Sequence, residues 1–393
     1  MVGIATDLRA RLLDAAFYAL CAAFAAVTAL TSTLLPHRAW GTIAWIAYAT
    51  GAALVLLIGR HRVVPLLFAT TALLPLLVEA IQRASGRTDR AQEEVLVVEQ
   101  MGGRLAHTGT PYLAREAIAA LPEPDRLLGY APYQPGMSVF GLPRAGFGDA
   151  WWTDARVWFA VVTTFCLVYC LNLLRPHADP LRLAQAVAVL PLCTLTLATG
   201  GDDLPVLTLC LLALALAARN RYTAAGVAVG LAGALKLFAL PVALVLLVLI
   251  LATASRRAIG FAATALGIPL LALLPAVLVN ADAYIENAIR FPSGHGLVTS
   301  PAQSPLPGHL IATALPAGRT IALALLLLAG AVIALMLFRR PPRTAGVAAA
   351  YIAAGLTAAI MLTPATRFGY LLYPVALLAF WWSLRKTPDL DPA

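Results

Sequence analysis

The sequence predicts an all-α polytopic membrane protein of about twelve transmembrane helices with two large extracytoplasmic loops. Three observations carry that expectation. The 393 residues are 61% hydrophobic and only 12% charged, about half the roughly 25% charged residues of a soluble domain. The apolar residues come in runs of about 20, the length a helix needs to cross roughly 30 Å of hydrocarbon. Lipid offers the backbone no hydrogen bonds, so such runs must be helical. The period-2 alternation of a membrane barrel is absent.

The runs place spans at 14–35, 41–58, 63–82, 151–173, 183–199, 204–218, 222–237, 239–254, 258–279, 320–338, 345–363 and 369–384. The seventh and eighth are short and Pro241 stands just inside the eighth, so both also suit tilted or re-entrant segments. Arg9 and Arg11 precede the first run and no small-residue cleavage site follows, which argues for a span rather than a removed signal peptide. With the N-terminus in the cytoplasm, fifteen of the 28 Lys and Arg fall inside, among them Arg60, Arg62, Arg256, Arg257, Arg339, Arg340, Arg343 and Lys386. Seven of the other thirteen lie in one long loop, and long loops count little in the positive-inside rule. The expectation is a plasma-membrane protein with both termini cytoplasmic.

The loops 83–150 and 280–319 then lie outside and hold most of the acidic residues. Loops this long are functional or disordered, and their aromatics, Gly and Pro favour order. No linker or fixed-period repeat divides the chain. It reads as one integral membrane domain, residues 1–393, in which residues 1–62 are additional N-terminal spans. The tail Thr387–Ala393 is polar and expected to be disordered.

Several function classes lose support. A net charge of +9 follows from cytoplasmic loops and does not indicate nucleic acid. Cys21, Cys166, Cys170, Cys193 and Cys210 all fall in apolar runs, which argues against a disulfide framework or thiol chemistry. No zinc-ligand spacing, P-loop or G-x-G-x-x-G is present.

Three groups of polar residues gather on the outer side. The first is Asp89, Glu93 and Glu94, with Glu99 close behind. A carboxylate at the bilayer surface under a covering loop suits a general base; the alternative is the solvated acidic start of a surface helix. The second is Gly200-Gly201-Asp202-Asp203 in a short turn. Charges at that depth tend to be functional, and paired acids suit a sugar hydroxyl or a divalent cation. The alternative is helix capping, for which one Asp suffices. The third is a set of cations, Lys236, Arg367 and Arg156. Converging cations suit a phosphate; the alternatives are snorkelling to headgroups, or pairing of Arg156 with Asp154. The second loop adds His295 and His309 in a Pro-rich segment, which suits a lid supplying a hydrogen bond or proton.

Four stretches together resemble the GT-C class of membrane glycosyltransferases, and within it glycosyltransferase family 87, the polyprenol-phosphate-mannose-dependent mannosyltransferases of actinobacteria. Glu94 precedes Gly109-Thr110-Pro111-Tyr112 by fifteen residues. Tyr130-Ala131-Pro132-Tyr133-Gln134-Pro135-Gly136 follows. A Gly-rich helix runs from Gly226 to Lys236, and a Pro-containing motif from Thr363 to Tyr370. The chain departs from the family in having Glu94 where an Asp is usual, and Gly201-Asp202-Asp203 where Gly-Gln-Asn is common. The resemblance implies a GT-C-like fold and an inverting transfer of mannose, or another hexose or pentose, from a polyprenyl-phosphate donor to an extracytoplasmic glycolipid or envelope polysaccharide. It implies a catalytic carboxylate, foremost Glu94 with Asp202, Asp203 and Glu99 as candidates. Lys236, Arg367, Arg156 and His309 are implied for the donor phosphate, and Tyr112 and Tyr133 for the acceptor side. No cofactor is required, although the paired acids leave a divalent cation open.

Two other classes compete. Twelve spans with inside termini also fit a transporter or flippase of a lipid-linked or small polar solute. Large outer loops and polar residues at one face, rather than at the midplane, favour the enzyme. A non-catalytic partner in envelope assembly is the third reading.

Overall fold

The computed structural model describes residues 2–175 and 178–385, with side chains from Asp7 onward. Lys386 and the tail Thr387–Ala393 lie outside the described residues. Within them the chain is helical, as expected, and carries one isolated parallel bridge between Gln303 and Thr366.

The N-terminal helices are α1 (Val2–Thr31), α2 (Leu35–Ile58) and α3 (Arg60–Ala84). The last contains a π-helical turn at Ala69–Leu73. The first outer loop holds α4 (Glu93–Thr108) and a series of short helical turns. There follow α5 (Ala155–Leu174), α6 (Leu181–Ala188), α7 (Pro191–Thr199), α8 (Asp203–Ala218) and α9 (Tyr222–Leu235). The chain continues through α10 (Leu240–Ala254), α11 (Ala258–Ile285) and α12 (Pro307–Ala314). It closes with α13 (Gly318–Arg339), α14 (Ala345–Leu362) and α15 (Leu372–Leu384).

The apolar helices appear in the expected order, and they differ in length. Seven described segments are long and apolar enough to span a membrane, and an eighth is the pair α6–α7, bent by 43° at its break. Asp203–Ala218, Tyr222–Leu235 and Phe368–Leu384 are apolar but shorter. With 14 residues, α9 is about 21 Å long, well short of the hydrocarbon thickness. It stops because Lys236 leaves the helix in an extended conformation.

Burial follows composition. The centre is α8, apolar all round and buried from Asp203 to Ala217. By contrast α13 is buried only at Gly318, Ala322 and Leu337, and presents the rest of its apolar surface outward, as a lipid-facing helix does. At the end of the helices opposite the large loops, Asp14 is fully buried. It is held by Arg60 at 2.5 Å and Arg182 at 2.6 Å, which ties α1, α3 and α6.

The glycines of α9 share one face, at spacings of four and three. A Cβ on Gly226 would meet Thr264 Oγ1 at 2.1 Å, and one on Gly230 the Thr264 carbonyl at 2.6 Å. Small residues let α9 and α11 touch backbone to backbone, as membrane helices do where no hydrophobic force draws them together. Gly230→Ala is therefore expected to lower stability by about 1–3 kcal/mol, read as a lower thermal midpoint in detergent; an unchanged midpoint would contradict this packing.

The second outer loop starts later than the apolar run suggests. Hydropathy ends at 279 because Asn280 and Asp282 are polar, but α11 continues to Ile285 across an extended residue at Asn280 (φ −159°, ψ 94°). A π-helical segment, Glu286–His295, follows. Both long loops are built and packed together: Asn287 accepts from the Ala131 N–H at 2.8 Å and donates to the Leu113 carbonyl at 2.8 Å.

Candidate active site

The backbone brings four separate stretches to one place. The Gln92 N–H donates to the Thr199 carbonyl at 2.9 Å, so the start of α4 sits against the end of α7. Gln92 also contacts His37 Nε2 at 2.7 Å. The first turn of α4 carries Glu93 and Glu94, where the helix dipole favours negative charge. Opposite, residue 366 is held by the second outer loop: Ser304 N–H donates to the Thr366 carbonyl and Thr366 N–H to the Ala302 carbonyl, both at 2.9 Å. That clamp aims Arg367 at Glu94, and the two side chains form an ion pair.

Between α7 and α8 the chain turns through Gly201 at φ +89°, a conformation costly for any residue with a Cβ. The turn delivers Asp202 and Asp203 to Lys236. Its Nζ lies 2.8 Å from Asp202 Oδ2 and 2.7 Å from Asp203 Oδ1. Neither acid serves chiefly as a cap, since Asp202 at the N-cap makes no side-chain capping bond. The Tyr373 hydroxyl donates to Asp203 Oδ1 at 2.8 Å. Lys236 also stands 5.1 Å from the centre of the Tyr133 ring, a cation–π distance. Burial, and then the Asp202 carboxylate, push the Tyr133 phenol well above its ordinary value, so it remains a protonated donor.

These groups line one cavity of about 1180 Å³. Its charged lining is Glu93, Glu94, Asp202, Asp203, Lys236 and Arg367. The flank is apolar, formed by Phe17, Leu20 and Phe24 of α1 with Leu190, Leu192 and Leu195. The first spans, read from sequence as additions, thus supply a wall of the cavity.

Six sequence candidates meet here: Glu93, Glu94, Asp202, Asp203, Lys236 and Arg367, with Tyr133 beside them. The other candidates do not line the cavity. Glu99 follows Glu94 by five residues, which turns it by about 140° around the helix. Its carboxylate is buried and bound by Arg83 at 2.5 Å and Arg144 at 3.2 Å. Arg156 is fully buried and pairs with Asp154 at 2.8 Å and Glu79 at 3.1 Å, the pairing alternative read from sequence. It also donates to the Ala198 carbonyl at 2.9 Å, which braces the turn carrying Asp202. His309 contacts the Pro364 carbonyl at 3.0 Å and so holds the backbone before Arg367. Tyr112 donates to the Tyr133 carbonyl at 2.7 Å and fixes that loop. Asp89 stands in the loop on Arg87, whose hydrogen bond holds its carboxyl down to about 2, which makes it a weak base.

No group of three or more His, Cys, Asp or Glu among the described residues is placed to hold a metal ion. The Lys236 ammonium occupies the position between Asp202 and Asp203 that a cation would take. Sequence reasoning passed over His37, Gln92, Tyr370 and Tyr373. It also passed over Glu79, although an acid inside an apolar run is a signal of this kind.

Fold and site together define a multi-pass membrane protein with a cluster of charged side chains lining one largely apolar cavity. The chain belongs to glycosyltransferase family 87, whose model matches residues 130–364. Its helical architecture is that of GT-C glycosyltransferases: the crystal structure of ArnT from Cupriavidus metallidurans in the apo state is similar with a TM-score of 0.51 at 16% identity. The same protein bound to undecaprenyl phosphate gives a TM-score of 0.52 at 17% identity. Each alignment covers 81% of this chain and 59% of the ArnT chain, so the chain spans well under two thirds of those neighbours. No curated protein sequence matches it.

Proposed function

We propose that the protein transfers a sugar from a polyprenyl-phosphate donor to a hydroxyl of an extracytoplasmic acceptor, with inversion. The observation that carries this reading is a single cavity lined by an apolar flank from α1 and α7 and by two cations, Lys236 and Arg367. A polyprenyl chain requires the flank and its phosphate requires the cations. The undecaprenyl phosphate bound by ArnT supports a carrier of that class. Both termini are cytoplasmic in this reading, the cavity faces outward, and the whole chain acts as one integral membrane domain that includes α1 and α2.

Lys236 and Arg367 bind the phosphate, Arg367 as a fork and Lys236 as a point charge. Each is neutralised by a carboxylate before the donor arrives, so the phosphate takes Arg367 from Glu94. The freed Glu94 accepts the acceptor's hydroxyl proton. The acceptor oxygen bonds to the anomeric carbon as the carbon–oxygen bond to phosphate breaks. The phosphate monoester leaves with the bonding pair, and the two cations stabilise the charge developing there. Asp202 and Asp203 orient Lys236 and receive sugar hydroxyls.

The test is transfer of radiolabel from polyprenyl-phosphate mannose, or its arabinose counterpart, to glycolipid in vesicles containing the purified protein. Label is expected in the acceptor fraction. Label that crosses the bilayer without transfer would replace this reading with the transporter, and donor binding with neither result would point to an assembly partner.

A further inference from the structure

A second pocket, of about 320 Å³, lies between the two outer loops. Its polar lining is Arg115, Glu116, Asn280, Asp282, Glu286 and Arg290. The volume is at the small end of the roughly 300–1,000 Å³ usual for ligand pockets, which suits a single sugar ring rather than a glycan chain. The extended residue at Asn280 interrupts α11 beside this pocket.

Glu286 forms the floor. It is 1% exposed, and burial of a carboxylate is costly unless its oxygens are satisfied. Oε1 is satisfied twice, by Arg115 at 2.7 Å and the Tyr130 hydroxyl at 2.8 Å. Oε2 has no hydrogen-bond partner; Arg290 approaches it only to 3.6 Å. Oε2 is closed to solvent, so the carboxylate is only half satisfied where its residue lines the pocket. The pocket holds two cations against three carboxylates, so an anion is disfavoured. A neutral polyol is not: its O–H groups donate to the carboxylates while its oxygens accept from the arginines.

The pocket also adjoins the main cavity. Tyr130 lines the cavity, donates to Glu286 and accepts from the Leu297 N–H at 2.7 Å. Its ring stacks on Phe291 with centroids 4.2 Å apart. Tyr130 therefore joins the two spaces, lining one and bonded to a residue that lines the other.

We infer that this pocket is a carbohydrate-binding subsite for a neutral sugar unit of the acceptor, held by Glu286 and Asp282 while a neighbouring hydroxyl lies in the main cavity. The assignment to an acceptor rests on the transferase reading above; the binding of a neutral sugar does not.

The experiment measures binding of methyl α-mannopyranoside and methyl α-arabinofuranoside to the full-length protein in lipid nanodiscs by saturation-transfer-difference NMR. Undecaprenyl phosphate binding is measured in parallel. At least one glycoside is expected to bind, and Glu286→Gln to weaken it at least tenfold. The rim variants Asp282→Ala and Arg290→Ala, at exposed positions that do not carry the fold, are expected to weaken it similarly. All three should leave undecaprenyl phosphate binding unchanged. No glycoside binding, binding that survives the rim variants, or displacement of the glycoside by inorganic phosphate would each overturn the subsite. Intact glycoside binding with no binding of undecaprenyl phosphate would instead remove the donor assignment and leave the sugar site standing.

Discussion

Lys236→Ala is expected to abolish transfer and to destabilise the protein by about 3–5 kcal/mol, the usual effect of removing one partner from a buried ion pair. The reason is the neighbourhood of the ammonium. It lies between Asp202 and Asp203, all three nearly buried, and without it two adjacent carboxylates face each other in an apolar wall. Loss of activity in that variant alone would mix chemistry with folding. The charge-matched double variant Lys236→Met with Asp203→Asn separates them, because it removes one charge of each sign. Its thermal midpoint should return toward the parent value while transfer stays absent. Transfer recovered along with stability would show that Lys236 serves the fold and not the phosphate.

Glu94→Gln is expected to lower turnover by about 10²–10⁴-fold, the range for a general base, with little change in stability. Its partner Arg367 keeps 34% of its side chain exposed, and exposed ion pairs contribute only about 0–1 kcal/mol. Undecaprenyl phosphate should bind as well as before or more tightly, since it no longer competes with a carboxylate for Arg367. That split between lost turnover and kept binding distinguishes a base from a binding residue. Turnover within tenfold of the parent would shift the base to Asp202 or Asp203.

Much of this arrangement was legible in sequence where a charge interrupts an apolar run. Lys236, Asp202, Asp203 and Arg367 stood out because hydropathy alone does not tolerate them, and their common depth followed from counting spans. What sequence did not reveal was pairing. Nothing in the spacing of Glu94 and Arg367, 273 residues apart, says that they meet, because their meeting depends on the clamp between 302–304 and Thr366. Glu99 and Arg156 were read as site residues for the same reason that Glu94 and Lys236 were: charge near the outer face. Helix phase turns Glu99 away, and Asp154 with Glu79 captures Arg156. Hydropathy registers apolar runs and not their geometry, so it gave the order of the apolar helices but not that α9 is short or that α6–α7 is bent.

The two cation–carboxylate pairs also bear on how fast the protein can turn over. A sugar phosphodiester brings one negative charge to Lys236 and Arg367. The spent carrier is a monoester with a second ionisation near pH 6, as for other phosphate monoesters, and so brings close to two. The product therefore displaces Glu94 from Arg367 more effectively than the substrate does. In the proposed transfer, carrier release rather than bond making is expected to limit the cycle, with added polyprenyl phosphate acting as a competitive inhibitor in the steady-state assay. Removal of the spent lipid carrier from the membrane would thus set the pace of the proposed reaction.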